Sequence, residues 1–294
     1  MIYVLKEDSR YPFSKGILAR SLNITGLSID KIYEIVQEVN EDLKEASKTE
    51  IRSKEIKELV REKLLNKGYE EEEKFYRVSR EIRYLDKPLL ILIGGGPGVG
   101  KSTLSAELGH RLGINRVIGT DTIREIMRTM MTYDIVPNIH ESTYMTDKSV
   151  SAPFISNKLI YGFDQQVSLV NVGIEAVIDR GIKEGLNTII SGVHIVPGYI
   201  DFDEDENAWI FQYVLEVPDL EEHIERFKMR AEGSHRDPDR YIDRMDKIRE
   251  IQEYTIQQAR KNDARVITNI NMESTIRSMI EDIIRGLEPV VEDE

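Results

Sequence analysis

The stretch Leu89-Leu90-Ile91-Leu92-Ile93-Gly94-Gly95-Gly96-Pro97-Gly98-Val99-Gly100-Lys101-Ser102-Thr103 decides the fold. It opens on a continuous apolar run, Leu89 to Ile93, which predicts a strand buried on both faces. The glycine-rich string that follows satisfies Gly-x-x-x-x-Gly-Lys-Ser through Gly95, Gly100, Lys101 and Ser102. Average composition produces that string by chance in about one chain of this length in a hundred. The strand before it, and a helical pattern over Thr103 to Leu112, lower that figure further. Glycines permit backbone angles that turn successive N–H groups toward one anion, and a helix starting near Lys101 adds its positive end. Gly95, Gly96, Pro97, Gly98, Val99, Gly100, Lys101, Ser102 and Thr103 are therefore expected to cradle the phosphates of ATP. Lys101 is expected to act catalytically at the β- and γ-phosphates, and Ser102 to ligate Mg²⁺ or another divalent cation.

Downstream of this stretch, strand and helix signals alternate. Strands are predicted at Arg116 to Ile118, Asn187 to Ser191, Trp209 to Val217 and Ala264 to Ile267. Helices are predicted at Thr122 to Met131, Leu159 to Glu184, Leu220 to Ala231, Arg240 to Asn262 and Glu273 to Arg285. Such alternation implies an α/β fold, a three-layer parallel sheet flanked by helices. Upstream the text reads differently, as helices over Ile29 to Leu43, Lys54 to Lys67 and Glu70 to Tyr84 behind a short N-terminal strand pair. Gly68 is a plausible stop for the second of these. The change near residues 80–88 divides the chain into a small, mainly helical module at 1–86 and a phosphate-loop domain at 87–294.

Composition narrows the function. The 294 residues carry a net charge of -13, which disfavours a general nucleic-acid binder. Polyanionic ligands must then meet cations gathered in one cleft. No cysteine is present, so disulfides, thiolate catalysis and cysteine-held zinc are excluded. The longest apolar run is Leu89 to Ile93, far short of a membrane span. Charges at Lys6, Glu7 and Asp8 argue against a secretory signal, and a cytoplasmic location is expected. The acidic end, Glu288 to Glu294, is expected to fray. Homo-oligomerisation stays open.

The phosphate loop leaves the fate of the γ-phosphate undecided, because kinases, ATPases and switches all share it. In open parallel sheets the second ligand lies beyond the carboxyl ends of the strands. Three segments meet that condition. After the second strand comes Gly119-Thr120-Asp121-Thr122-Ile123-Arg124. Asp121 could accept a hydroxyl proton or cap the next helix, and Arg124 and Arg128 share a helix face suited to an anionic substrate. After the third strand comes Ser191-Gly192-Val193-His194, with His194 equally open to a structural or an acceptor-binding role. Farther on, Arg226, Arg230, Arg236, Arg240 and Arg244 surround a turn containing Gly233, Ser234, His235 and Pro238. An arginine-rich lid of this kind could neutralise transition-state charge; an ion-paired helix hairpin, with Glu225, Glu232, Asp237 and Asp239 nearby, is the other reading. Arg230 and Arg236 are the lid candidates. No guanine-reading Asn/Thr-Lys-x-Asp follows a strand, so ATP is favoured over GTP. A kinase for a small phosphorylated or carboxylated metabolite fits these features.

The stretch Gly162-Phe163, Gln166, Val170, Gly173-Ile174, Val177-Ile178, Arg180 and Glu184-Gly185 continues into Gly192-Val193-His194 and Pro197-Gly198. With Thr120-Asp121-x-Ile123-Arg124-Glu125 and Ile267-x-Asn269, it resembles archaeal 2-phosphoglycerate kinase over about residues 88–286. The resemblance implies transfer of the ATP γ-phosphoryl group to the 3-hydroxyl of 2-phosphoglycerate. The product would be 2,3-bisphosphoglycerate, precursor of a cyclic bisphosphoglycerate. Asp121, Arg124, Arg128 and His194 are the acceptor-binding candidates. Ser191 stands where the resemblance implies a glutamate. The alternatives are a kinase for another small hydroxyl metabolite or sugar, and a nucleotide sensor with little catalysis. Val4-x-Lys6-x-Asp8-x-Arg10-x-Pro12-Phe13, Ser21-Leu22, Gly26, Ile51 and Tyr76 resemble the ATP-cone, a regulatory nucleotide-binding module. Lys6-Glu7-Asp8-Ser9 replaces its usual Lys-Arg-Asp-Gly, so nucleotide binding and a packing role both stay open.

Overall fold

The computed structural model of the protein describes residues 2–6, 9–46, 49–82, 84–200, 207–232 and 237–292. The chain divides into two compact units, one of Met1–Leu85 with Arg277–Glu294 and one of Asp86–Ile276.

In the first unit, β1 (Tyr3–Lys6) pairs antiparallel with β2 (Ser9–Pro12). Helices α1 (Lys15–Leu22) and α2 (Ile29–Glu45) follow. Between them Gly26, at φ 70°, closes a short 3-10 turn in a conformation costly for any side chain. Strand β3 (Glu50–Arg52) then pairs parallel with β1, and α3 (Ser53–Asn66) and α4 (Glu70–Glu81) complete the run. The predicted stripe on α2 is the core: Ile32, Ile35, Val36, Val39 and Leu43 pack with Val60 and Leu64 of α3 and Tyr76 of α4. Gly68, at φ 74°, follows the end of α3 as expected. Strand β3 was not expected, because only Ile51 of its three residues is buried and so short a run shows no alternation.

The second unit is a five-stranded, all-parallel sheet. Its strands are β4 (Leu89–Gly95), β5 (Arg116–Gly119), β6 (Thr188–Ser191), β7 (Trp209–Glu216) and β8 (Arg265–Thr268), ordered β5-β6-β4-β7-β8. Every residue of β4 is buried, as its unbroken apolar run requires. Helix α5 (Lys101–Leu112) lies on one face, where Gly109 sits close against Val117 and Ile189. The opposite face carries Leu90, Leu92 and Ile190. It is covered by α6 (Thr120–Met130) through Ile123 and by α8 (Lys158–Lys183) through Ile174 and Ile178. The short α7 (Pro137–His140) and a 3-10 turn at Thr143–Ser149 precede α8. Helices α9 (Leu220–Glu232), α10 (Asp239–Ile242) and α11 (Met245–Lys261) follow β7, with α11 packing Ile256 and Ala259 against Val214. The three-layer parallel architecture expected from the alternation is therefore present.

Three expectations are corrected. The helix predicted over 240–262 is broken, with Asp243 and Arg244 separating α10 from α11. The last helix, α12 (Met272–Glu292), runs past the predicted end and past Pro289 instead of fraying at residue 288. Leu287 is buried, and Glu288 pairs with Lys74 at 2.5 Å and Arg77 at 3.9 Å, which offsets the one hydrogen bond a late proline removes. Those contacts also group Arg277–Glu294 with the N-terminal unit, whereas a single cut at residue 86 would have joined that segment to the phosphate-loop domain.

Candidate active site

The loop Gly95 to Gly100 joins the carboxyl end of β4 to the first turn of α5. Its carbonyls are taken by donors from around it. Lys101 Nζ donates to Gly95 O (2.8 Å) and Gly96 O (2.6 Å). His223 Nε2 meets Pro97 O at 2.8 Å, and Asn269 Nδ2 (2.8 Å) and Arg226 (3.3 Å) both donate to Val99 O. With these four carbonyls engaged, the loop can offer its N–H groups to a phosphate. Gly98 and Gly100 adopt φ of 82° and 92°. A Cβ on Gly98 would strike the Phe227 ring, and one on Gly100 would lie 2.7 Å from Asn269 Nδ2. The motif glycines thus answer both to backbone angle and to the close packing of α9 and the β8–α12 turn.

Lys101 is only 8% exposed. Burial pushes its pKa down to about 8, against the supporting charge of Asp121. The lysine folds onto its own loop, and a bound triphosphate would offer its ammonium stronger acceptors. His223 also sits under the loop, its ring stacked on Phe227 at 5.5 Å and its pKa lowered to about 4 by burial. It is therefore neutral, with the Nε2 proton given to Pro97.

A cleft of about 980 Å³ opens beyond the strand ends. Lys101, Ser102 and Thr103 line it from the loop; Asp121, Arg124 and Glu125 from α6; Ser191 and Gly192 from the end of β6. Ser142, Thr143 and Tyr144 close one side, and Arg226, Arg230, Arg240 and Tyr241 another. Arg240 donates to Ser142 Oγ at 2.8 Å. The Phe227 ring also stacks on Tyr241 at 4.8 Å, and Tyr241 meets Tyr144 in a tilted contact at 5.6 Å. Arg124 is half-buried; burial lowers its pKa, and Asp121 supports its charge. For a divalent cation, Ser102 and the Asp121 carboxylate offer oxygen donors in the cleft. No group of three or more His, Cys, Asp or Glu placed to hold a metal ion exists among the described residues. That donor set suits a Mg²⁺ ion that arrives with nucleotide and keeps its waters, rather than one caged by protein.

Lys101, Ser102, Asp121, Arg124 and Arg230 thus share one cleft. Two other candidates do not line it. Arg128 pairs with Glu125 at 2.8 Å on α6. His194 is wholly buried, its ring between Thr120 (2.9 Å) and Gln166 (3.3 Å). The apolar neighbours Val193, Ile195 and Val196 were the available sign that its loop turns inward. Arg236, with Gly233, Ser234 and His235 of the predicted lid, lies outside the described residues, as do Glu7 and Asp8 of the N-terminal motif. In the sequence Asn269 stands out only through the family resemblance, and Arg226 only as one of a series. Ser142 to Tyr144 gave no signal, lying in a stretch without periodicity.

A sequence profile of the AAA domain family matches residues 91–252, and one of the ATP cone domain matches residues 2–84. A 2-phosphoglycerate kinase of Thermococcus kodakarensis is 44% identical over 95% of this chain and 95% of its own length. That of Pyrococcus furiosus is 44% identical over 97% and 94%. Among solved structures, a gluconokinase from Sinorhizobium meliloti aligns over 70% of this chain and 95% of its own, at 14% identity and a TM-score of 0.39. With a complete phosphate loop at the head of a cationic cleft, and with relatives this similar over nearly their full length, the chain belongs to the archaeal 2-phosphoglycerate kinase family.

Proposed function

We propose that the protein transfers the γ-phosphoryl group of ATP to the 3-hydroxyl of 2-phosphoglycerate, giving 2,3-bisphosphoglycerate and ADP. One observation supports the acceptor class most strongly. In a chain of net charge -13, Arg124, Arg230 and Arg240 converge with Lys101 on one cleft. An acceptor bearing both a phosphate and a carboxylate needs such a concentration of cations, whereas a neutral sugar does not.

In this reading the loop N–H groups and Lys101 hold the β- and γ-phosphates. Asp121 orients the 3-hydroxyl and takes its proton as the new O3–P bond forms and the bond to the β-phosphate oxygen breaks. Lys101 and Arg230 offset the charge spread over the transferring group, while Arg124 holds an acceptor anion. Ser102 would hold a Mg²⁺ ion that arrives with the nucleotide, and the ion would supply charge neutralisation. The enzyme would act in the cytoplasm on a small molecule, without nucleic acid or membrane; no helix among the described residues is long and apolar enough to cross a bilayer.

The test is ADP release with Mg²⁺-ATP across 2-phosphoglycerate, 3-phosphoglycerate, glycerate and sugars. The expected result is the highest kcat/KM for 2-phosphoglycerate. Faster turnover of an unphosphorylated acceptor would overturn the assignment.

A further inference from the structure

The ring of His194 is sealed from the cleft, yet its hydrogen bonds lead to two of the cleft's walls. Gln166 sets their direction. Its Nε2 donates to the carbonyls of Asn138 (2.8 Å) and Glu141 (3.0 Å), so its Oε1 is the atom that faces His194 Nε2 at 3.3 Å. That oxygen can only accept, so Nε2 of His194 carries the proton. A neutral ring then leaves Nδ1 as acceptor for the Thr120 hydroxyl at 2.9 Å. Burial holds the imidazole far below its ordinary pKa and so keeps it neutral. Thr120, His194 and Gln166 are each fully buried, which excludes competing water. Donation therefore runs one way, from Thr120 through His194 and Gln166 to the backbone at 138 and 141, and bonds aligned in this manner reinforce one another.

Each end of the chain adjoins cleft-lining residues. Thr120 opens α6, immediately before Asp121 and one turn from Arg124. Glu141 immediately precedes Ser142, Thr143 and Tyr144. The packing around it is tight: a Cβ on Gly192 would overlap the Thr120 side chain, and Asn138 is itself held by Ser149 Oγ at 2.9 Å. The phosphate loop is held by a different set of donors, Lys101, His223, Arg226 and Asn269.

We propose that His194 is a positioning residue for the acceptor: it fixes the wall of Asp121 and Arg124 relative to the wall of Ser142 to Tyr144, and leaves the nucleotide side unaffected. The inference rests on the reading of this cleft as the acceptor site. His194→Asn removes the reach to Gln166, and Thr120→Val removes the donated hydroxyl at nearly constant volume. Each is expected to raise KM for 2-phosphoglycerate about tenfold, the scale of one buried hydrogen bond, with KM for ATP within about twofold. Thr120→Ser should restore the wild-type value. Hydrogen exchange gives a readout independent of any acceptor: Thr120→Val should speed amide exchange over residues 120–125 and 138–146 and leave 95–103 unchanged. An equal rise in both KM values, an unchanged acceptor KM in a folded variant, or faster exchange over 95–103 would overturn the proposal. Absence of wild-type turnover with 2-phosphoglycerate would count against the proposed function, while the exchange pattern would still decide the role of His194.

Discussion

The phosphate loop and the proposed acceptor wall of the same cleft are built in opposite ways. The loop presents backbone, and the surrounding side chains Lys101, His223, Arg226 and Asn269 hold that backbone in shape. The proposed acceptor wall presents side chains, namely Asp121 and Arg124 of α6, whose first residue, Thr120, is tied to the buried His194 ring. A triphosphate is the same in every ATP, so a fixed array of N–H groups suits it. The acceptor is what distinguishes one small-molecule kinase from another, and side chains can be exchanged without disturbing the sheet.

This contrast can be broken by substitution. Lys101→Ala, on the nucleotide side, should lower kcat by about 10³-fold, the scale of losing a group that stabilises transition-state charge, with an unchanged circular-dichroism spectrum. Near-wild-type turnover would remove Lys101 from the chemistry. Asp121→Asn should lower kcat by about 10²-fold, as for loss of a positioned proton acceptor, with little change in KM for ATP. A full-rate Asn variant would restrict Asp121 to its place in the first turn of α6. Arg124→Gln is expected to raise KM for the acceptor by about tenfold to a hundredfold, the worth of a charge-assisted hydrogen bond, and to leave ATP affinity as it was. Equal weakening of both substrates would erase the division between the two walls.

The smallest effect is one of pH. Lys101 has a folded pKa of about 8, below its ordinary 10.5, because it is buried. As pH rises through 8 the free enzyme loses this cation, so kcat/KM for ATP should fall. Stability moves the other way. Between about 8 and 10.5 the unfolded chain binds the extra proton, so this group's contribution to stability rises with pH. The melting temperature of the wild type relative to Lys101→Met should therefore increase across that window. A difference that shrinks with pH would mean that the lysine gains, rather than loses, proton affinity on folding.

The same contrast explains what could be read from the sequence. The strand Leu89 to Ile93 and the loop after it are contiguous, and their chemistry depends on glycine, lysine and serine at fixed spacing. They announced both the parallel sheet and the nucleotide site. Asp121 and Arg124 were legible because they directly follow a strand. Arg128 and His194 were misplaced because the reading fixed their positions along the chain but not the direction of their side chains. Arg128 turns to Glu125, and His194 turns inward to Thr120 and Gln166. Ser142 to Tyr144 could not be found at all, since a 3-10 turn held by buried Asn138 and Gln166 leaves no periodic mark. In the N-terminal unit the stripe on α2 was plain, while β3 was hidden in a single buried isoleucine.

Everything proposed for this cleft requires that it join the phosphoryl group to a phosphorylated acid rather than release it to water. Phosphorus NMR of wild-type enzyme with Mg²⁺-ATP and 2-phosphoglycerate tests it most directly. The expected spectrum shows one new phosphomonoester on the adjacent carbon for each ADP formed, with no matching rise in inorganic phosphate. Inorganic phosphate appearing in step with ADP, and 2-phosphoglycerate left unchanged, would contradict it.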